Sequence, residues 1–127
     1  MLSTEAEQQM FNRVWHRAKT KKKSIIGSVC MYRCSNGLPC FAGALISDEL
    51  YREFMEGTHA SGDAVLSAIM ETMNAVPTKN TSEMILDMQC VHDYCKPEEW
   101  VGELRKLAIK YGFSMRAAKK YSKERGV

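Results

Sequence analysis

The sequence predicts an α+β fold, mostly helical, with about five helices packed on a small antiparallel β-hairpin. Three observations carry that expectation. Apolar residues recur at helical spacing near the start of the chain and again through its second half. Between them, two apolar runs flank Asn36-Gly37, a dipeptide suited to a type I′ turn because both central residues need positive φ. A two-stranded hairpin alone is marginal in water, so helices must cover it.

The elements follow in order. Thr4 with Glu7 makes a capping box, and Met10, Phe11, Val14, Trp15 and Ala18 form one stripe, so a first helix runs from Glu5 to about Lys19. The hairpin pairs Tyr32 with Phe41 and Arg33 with Cys40. That register places Cys30, Tyr32, Phe41, Gly43 and Leu45 on one face, and Met31, Arg33, Cys40, Ala42 and Ala44 on the other. Ser47 caps a short helix carrying Leu50, Tyr51, Phe54 and Met55, stopped at Gly57. Ser61 caps the next, with Val65, Leu66, Ile69, Met70 and Met73 inward, and it ends before Pro77. Asn80 and Glu83 read as a second capping box, ahead of Met84, Ile85, Met88, Val91 and Cys95. Pro97 opens a helix that buries Trp100, Leu104, Leu107, Ala108 and Tyr111 and stops at Gly112. Residues 1–113 therefore form one domain, and residues 114–127 a basic C-terminal tail or helix extension.

Composition excludes several classes. Hydrophobic residues at 45% and charged ones at 26% are globular values, which sets aside a disordered chain. No apolar run is long enough to span a membrane, and the first residues lack the pattern of a secretion signal, so the expected location is cytoplasmic. Five cysteines, an odd number, read as reduced thiols.

The chemistry-bearing residues make no complete constellation. Cys30, Cys34, Cys40, Cys90, His92 and Cys95 invite a zinc reading, but the hairpin register turns Cys40 away from Cys30 and Cys34. Cys34 or Cys40 with His92 and Asp93 would make a nucleophile, base and orienter, yet a catalytic thiol usually sits at a helix N-terminus or beside cations, and these sit in strands or a turn. His92-Asp93 alone is too little for a metal-dependent phosphohydrolase. No catalytic residue, metal or cofactor is expected. Arg33, mid-strand, calls for a carboxylate from Asp48, Glu53, Glu56 or Asp93, or else anchors a partner. A second possibility lies in two basic segments: Arg17, Lys19, Lys21, Lys22 and Lys23, and the tail with Arg116, Lys119, Lys120 and Lys123 around Tyr121.

The pattern Cys30-x-Tyr32-Arg33-x-x-x-Gly37-x-x-Cys40-x-x-Gly43-x-Leu45-Ile46-x-Asp48, then Tyr51, Glu56-Gly57 and Gln89-x-x-His92-Asp93 before Trp100, resembles a family of small proteins encoded by tailed phages and prophages. The resemblance spans about Phe11 to Phe113. It implies a small non-catalytic binding protein in the host cytoplasm, acting as a host-takeover or anti-defence (anti-CRISPR-like) inhibitor by contact with a host protein or defence complex. Candidate binding residues on that reading are Tyr32, Arg33, Asp48, Glu56, His92 and Asp93. The alternative is a nucleic-acid-associated accessory protein using segments 17–23 and 116–125. The third is a small enzyme or sensor with a site around His92.

Overall fold

A computed structural model describes residues 4–26, 29–30, 32–33, 37–60 and 62–126. The first helix starts where its capping residues demand. The Thr4 hydroxyl accepts from the Glu7 backbone N–H at 3.1 Å, and the Glu7 carboxylate accepts from the Thr4 N–H at 3.0 Å. Helix α1 spans Glu5–Ala18 and buries Met10, Phe11, Val14, Trp15 and Ala18. Four further helices follow among the described residues: α2 Asp63–Met73, α3 Thr81–Tyr94, α4 Trp100–Tyr111 and α5 Met115–Glu124. Gly112 closes α4 in the left-handed region at φ +77°, and the chain turns back so that α5 lies along α1. α3 packs on α4, and α1 also touches α4.

The core is aromatic at its centre. Ring centroids of Phe41 and Trp100 lie 4.8 Å apart, those of Phe11 and Phe113 4.7 Å, and Trp100 stacks on His92 at 5.3 Å. Such pairs add to the burial of large rings. Glu7, itself buried, joins two helix starts, because its Oε2 accepts from the Thr78 and Thr81 hydroxyls at 2.8 and 3.0 Å. Burial pushes its carboxyl up, but the hydrogen bonds from Thr4, Thr78 and Thr81 prevail and hold it below its usual value.

The helices do not pack on a β-hairpin, and the fold is all-helical. Among the described residues the only ladder is two residue pairs, Ile25 with Cys30 and Ile26 with Val29, too short to form a layer. The segment expected as the second strand contains the 3-10 turn Gly43–Leu45, with Leu45 N–H donating to Ala42 at 3.0 Å. The reason is visible in burial. Cys40, Phe41, Ala42, Leu45 and Ile46 are all buried, whereas a hairpin strand covered on one face would bury every second residue. Of the predicted turn, Gly37 has φ +83°, while Asn36, like Met31, Cys34 and Ser35, lies outside the described residues. Tyr32 and Gly43 do approach closely, but outside any ladder among the described residues. A Cβ at Gly43 would stand 2.3 Å from the Tyr32 carbonyl oxygen.

Other boundaries differ for local reasons. After Ser47 the chain makes a turn, in which Leu50 and Tyr51 both donate to the Ser47 carbonyl, and then a 3-10 helix, Glu53–Met55, that leaves Phe54 exposed. Ser61 lies outside the described residues, and Gly62 occupies the N-cap of α2. Asn80 makes no side-chain cap. Thr78 and Thr81 hydroxyls answer the backbone there instead, and Glu83 pairs with Lys110 at 3.1 Å.

Two glycine substitutions should move stability in opposite directions. Gly43→Ala drives a methyl group into backbone and should cost about 1–3 kcal/mol. Gly102→Ala, in α4 with open space around the new methyl, should gain about 0.5–1 kcal/mol. Urea denaturation of the two variants against the parent chain reads both.

Candidate functional site

Most residues of the linked motif serve as joints of the fold. The Glu56 carboxylate accepts from the Tyr32 and Arg33 backbone N–H groups at 2.8 and 3.0 Å, and from the Tyr51 hydroxyl at 2.5 Å. Burial, then the Glu56 carboxylate, push the Tyr51 hydroxyl up to about 12. Tyr32 is buried and donates its hydroxyl to the Thr58 carbonyl at 2.6 Å. Arg33 lies over the Tyr51 ring and donates to the Gly43 and Ile46 carbonyls, both at 2.6 Å. Its ion pair with Asp48 is 3.3 Å long and the Asp48 side chain is 97% exposed, so carbonyl bonds outweigh that pair.

His92 and Asp93 belong to a second joint. His92 is fully buried, its Nε2 accepts from the Ser24 N–H at 3.0 Å, and its Nδ1 meets Asp93 Oδ1 at 2.9 Å. An acceptor role at Nε2 leaves Nδ1 as the protonated nitrogen, so the imidazole is neutral with both nitrogens engaged. Gln89 extends the chain of bonds, donating to Asp93 at 2.8 Å and accepting from the Ala42 N–H at 2.8 Å. Tyr32 and Asp93 both border a cleft of about 280 Å³ that also includes His59, Cys90 and Tyr94. Among the described residues no group of three His, Cys, Asp or Glu side chains is placed to hold a metal ion.

A larger depression lies elsewhere. About 520 Å³ of open groove runs between the C-terminal half of α1, α5 and the segment around Gly37–Asp48. Arg13, His16, Arg17 and Lys19 form one wall, Arg33 and Pro39 stand in another, and Tyr121 closes the α5 side. Asp48 is the single carboxylate among its described lining residues. Helical spacing explains the first wall, since positions three and four apart share a face.

Arg17 is the unusual member. It is only 6% exposed, its Nε donates to the Pro39 carbonyl at 2.6 Å, and its Nη2 donates to the Lys22 carbonyl at 2.6 Å. The guanidinium carbon sits 5.8 Å from the Trp100 ring centre. Its Nη1 is buried without a hydrogen-bond partner, and no carboxylate pairs with it among the described residues. Burial pushes its pKa down, opposed by the nearby Cys40 thiol, yet an arginine keeps its charge at neutral pH. A buried cation without a counter-charge is costly, and it projects its field into the groove.

On the α5 side, the Tyr121 ring is edge-on to His16 at 5.8 Å and carries the Arg125 guanidinium 3.4 Å from its centre. His16 Nδ1 meets Ser122 Oγ at 3.2 Å. Burial first, then Arg125 and Lys19, lower the His16 pKa, so the imidazole is neutral at pH 7. The two basic segments therefore divide. Arg17 and Lys19 face the groove, and Lys23 turns to the Asp93 carbonyl at 3.2 Å. Lys21 and Lys22 are exposed beyond α1, and Arg116, Lys119, Lys120 and Lys123 line the solvent face of α5 opposite buried Ala118 and Ser122. Arg13 and His16 were not among the sequence candidates, although their spacing to Arg17 puts all three on neighbouring turns. The exposed apolar residues Phe54, Val76, Tyr94 and Ile109 sit on four different segments and none borders the groove.

No known protein family, curated protein or solved structure matches the chain. Nothing in those comparisons supports the phage-family resemblance or an anti-defence role. Among the described residues no helix is long and apolar enough to cross a membrane.

Two outcomes test this geometry. Glu56→Ala removes the acceptor of three hydrogen bonds and should lower stability by about 2–4 kcal/mol in urea denaturation. His16, with a folded pKa below its unfolded one, contributes stability that is complete above about pH 6.5 and lost as the pH falls. Thermal unfolding between about pH 7.5 and about pH 5.5 should show that loss in the parent chain, and His16→Gln should flatten it.

Proposed function

We propose that this chain is a non-catalytic binding protein that holds a nucleic-acid backbone in the basic groove. One observation carries the reading: cations from separate parts of the chain, Arg13, Arg17, Lys19 and Arg33, converge on a groove with Asp48 as the single carboxylate among its described lining residues. Phosphate contacts supply most of the sequence-independent affinity for nucleic acid, and a dense local cluster matters more than the modest net charge of +3. The exposed stripe Arg116, Lys119, Lys120 and Lys123 lies on the same helix as Tyr121 and adds phosphate contacts beyond the groove. Reduced Cys40, Cys90 and Cys95 accord with a cytoplasmic setting, which belongs to the same proposal.

The test is fluorescence anisotropy of labelled oligonucleotides across salt. Affinity should fall by an order of magnitude or more between about 50 and 200 mM salt. The double variant Arg13→Glu with Lys19→Glu should lose at least about tenfold at low salt while unfolding at the same temperature as the parent. Binding that ignores both salt and the double charge reversal would remove the reading.

A further inference from the structure

The groove differs from a surface built to hold a double helix. A duplex is read by elements that protrude into its major groove, about 12 Å wide, or by contacts along its outer phosphates, and its bases remain stacked inside. Here one cation is recessed behind the others. Arg17 is buried in the wall, and the groove volume of about 520 Å³ is the size of a small-ligand pocket. One wall is aromatic: Tyr121 borders the groove with the Arg125 guanidinium stacked 3.4 Å from its ring centre. Rings and guanidinium planes that border a cationic channel are what unpaired bases stack on, and they offer nothing to bases paired within a duplex.

We infer that the groove takes a single strand of nucleic acid, its phosphates against Arg13, Lys19 and Arg33 and one base stacked on the Tyr121–Arg125 pair. Arg17 acts behind these three cations. Its guanidinium is fixed by the Pro39 and Lys22 carbonyls, its Nη1 has no partner, and no carboxylate among the described residues neutralises it. A phosphate entering the groove supplies the missing negative charge at short range, where water screens little. His16 completes the wall. It is held at Ser122 and is neutral at pH 7, so it orients Tyr121 without adding a cation. The inference rests on the nucleic-acid reading above and narrows it to unpaired strands.

Three probes separate the possibilities at matched salt: a labelled oligothymidine of about 12 nucleotides, a hairpin duplex of similar charge, and inorganic polyphosphate as a base-free competitor. The single strand should bind at least about tenfold more tightly than the duplex. Tyr121→Leu, which keeps an apolar side chain against α1, should weaken strand binding by about tenfold and leave polyphosphate affinity where it was, and Tyr121→Phe should restore strand binding. Equal affinity for strand and duplex would overturn the inference and leave the nucleic-acid reading standing. So would a Tyr121→Leu variant that loses strand and polyphosphate together, because the ring would then only be holding α5 in place. Failure of all three probes to bind would remove both.

Discussion

A long connection without helix or ladder must have its backbone donors and acceptors answered by something else. Between α1 and α2 this chain has such a connection, broken only by short 3-10 turns and two ladder pairs among the described residues. Side chains do the answering. Arg17 serves the Lys22 and Pro39 carbonyls, Arg33 those of Gly43 and Ile46, Glu56 the N–H groups of Tyr32 and Arg33. Gln89 and His92 reach across from α3 to the N–H groups of Ala42 and Ser24. Buried donors and acceptors left unmet cost more than a met pair returns, so each of these side chains is constrained by chemistry as well as by shape.

That constraint explains why the linked motif looked functional. Tyr32, Arg33, Gly43, Glu56, Gln89, His92 and Asp93 share one task in the structure, which is to fasten one connection to the helical frame. His92, fully buried, spends its Nε2 on the Ser24 N–H and its Nδ1 on Asp93, so it serves the connection from the interior. The groove instead uses the cation-rich end of α1. Arg17 belongs to both systems, since its Nε and Nη2 hold the connection while its buried side chain also lines the groove.

The helices were legible because their signals are local. The Thr4–Glu7 box, the apolar stripe of α1 and the stop at Gly112 depend on residues within a turn or two of one another. The hairpin was misread for the same reason. Asn36-Gly37 is a strong turn signal only if its flanks alternate in burial, and along the flank Cys40–Ile46 every residue but Ala44 is buried, which sequence alone does not reveal. Ile25-Ile26 ahead of Gly27-Ser28 and Val29 carried the fainter sign of the pairing that does form. For the groove, Arg17, Lys19 and Tyr121 were readable as basic and aromatic residues. Their meeting was not, because it requires α5 to fold back across α1, a long-range event without a local signature. The same event turns Arg116, Lys119, Lys120 and Lys123 outward and brings Arg13 and His16 into play.

The dependence on α5 has an energetic side. A helix of ten residues is unstable alone in water and persists through its packed face. That face is small: Ala118 and Ser122 are buried on α1, and Gln8 binds both the N–H and the carbonyl of Ser114, at 2.7 and 3.1 Å. Phe113, stacked on Phe11, anchors the start of the turn. Detaching α5 would remove Tyr121 and Arg125 and open one side of the groove, while leaving Arg17 tied to Pro39 and Lys22 in the frame. A ligand bound across both walls therefore stabilises the α1–α5 contact by as much as it prefers the closed groove over the open one. The groove is thus only as permanent as the docking of α5 on α1, and a ligand held by both walls strengthens that docking.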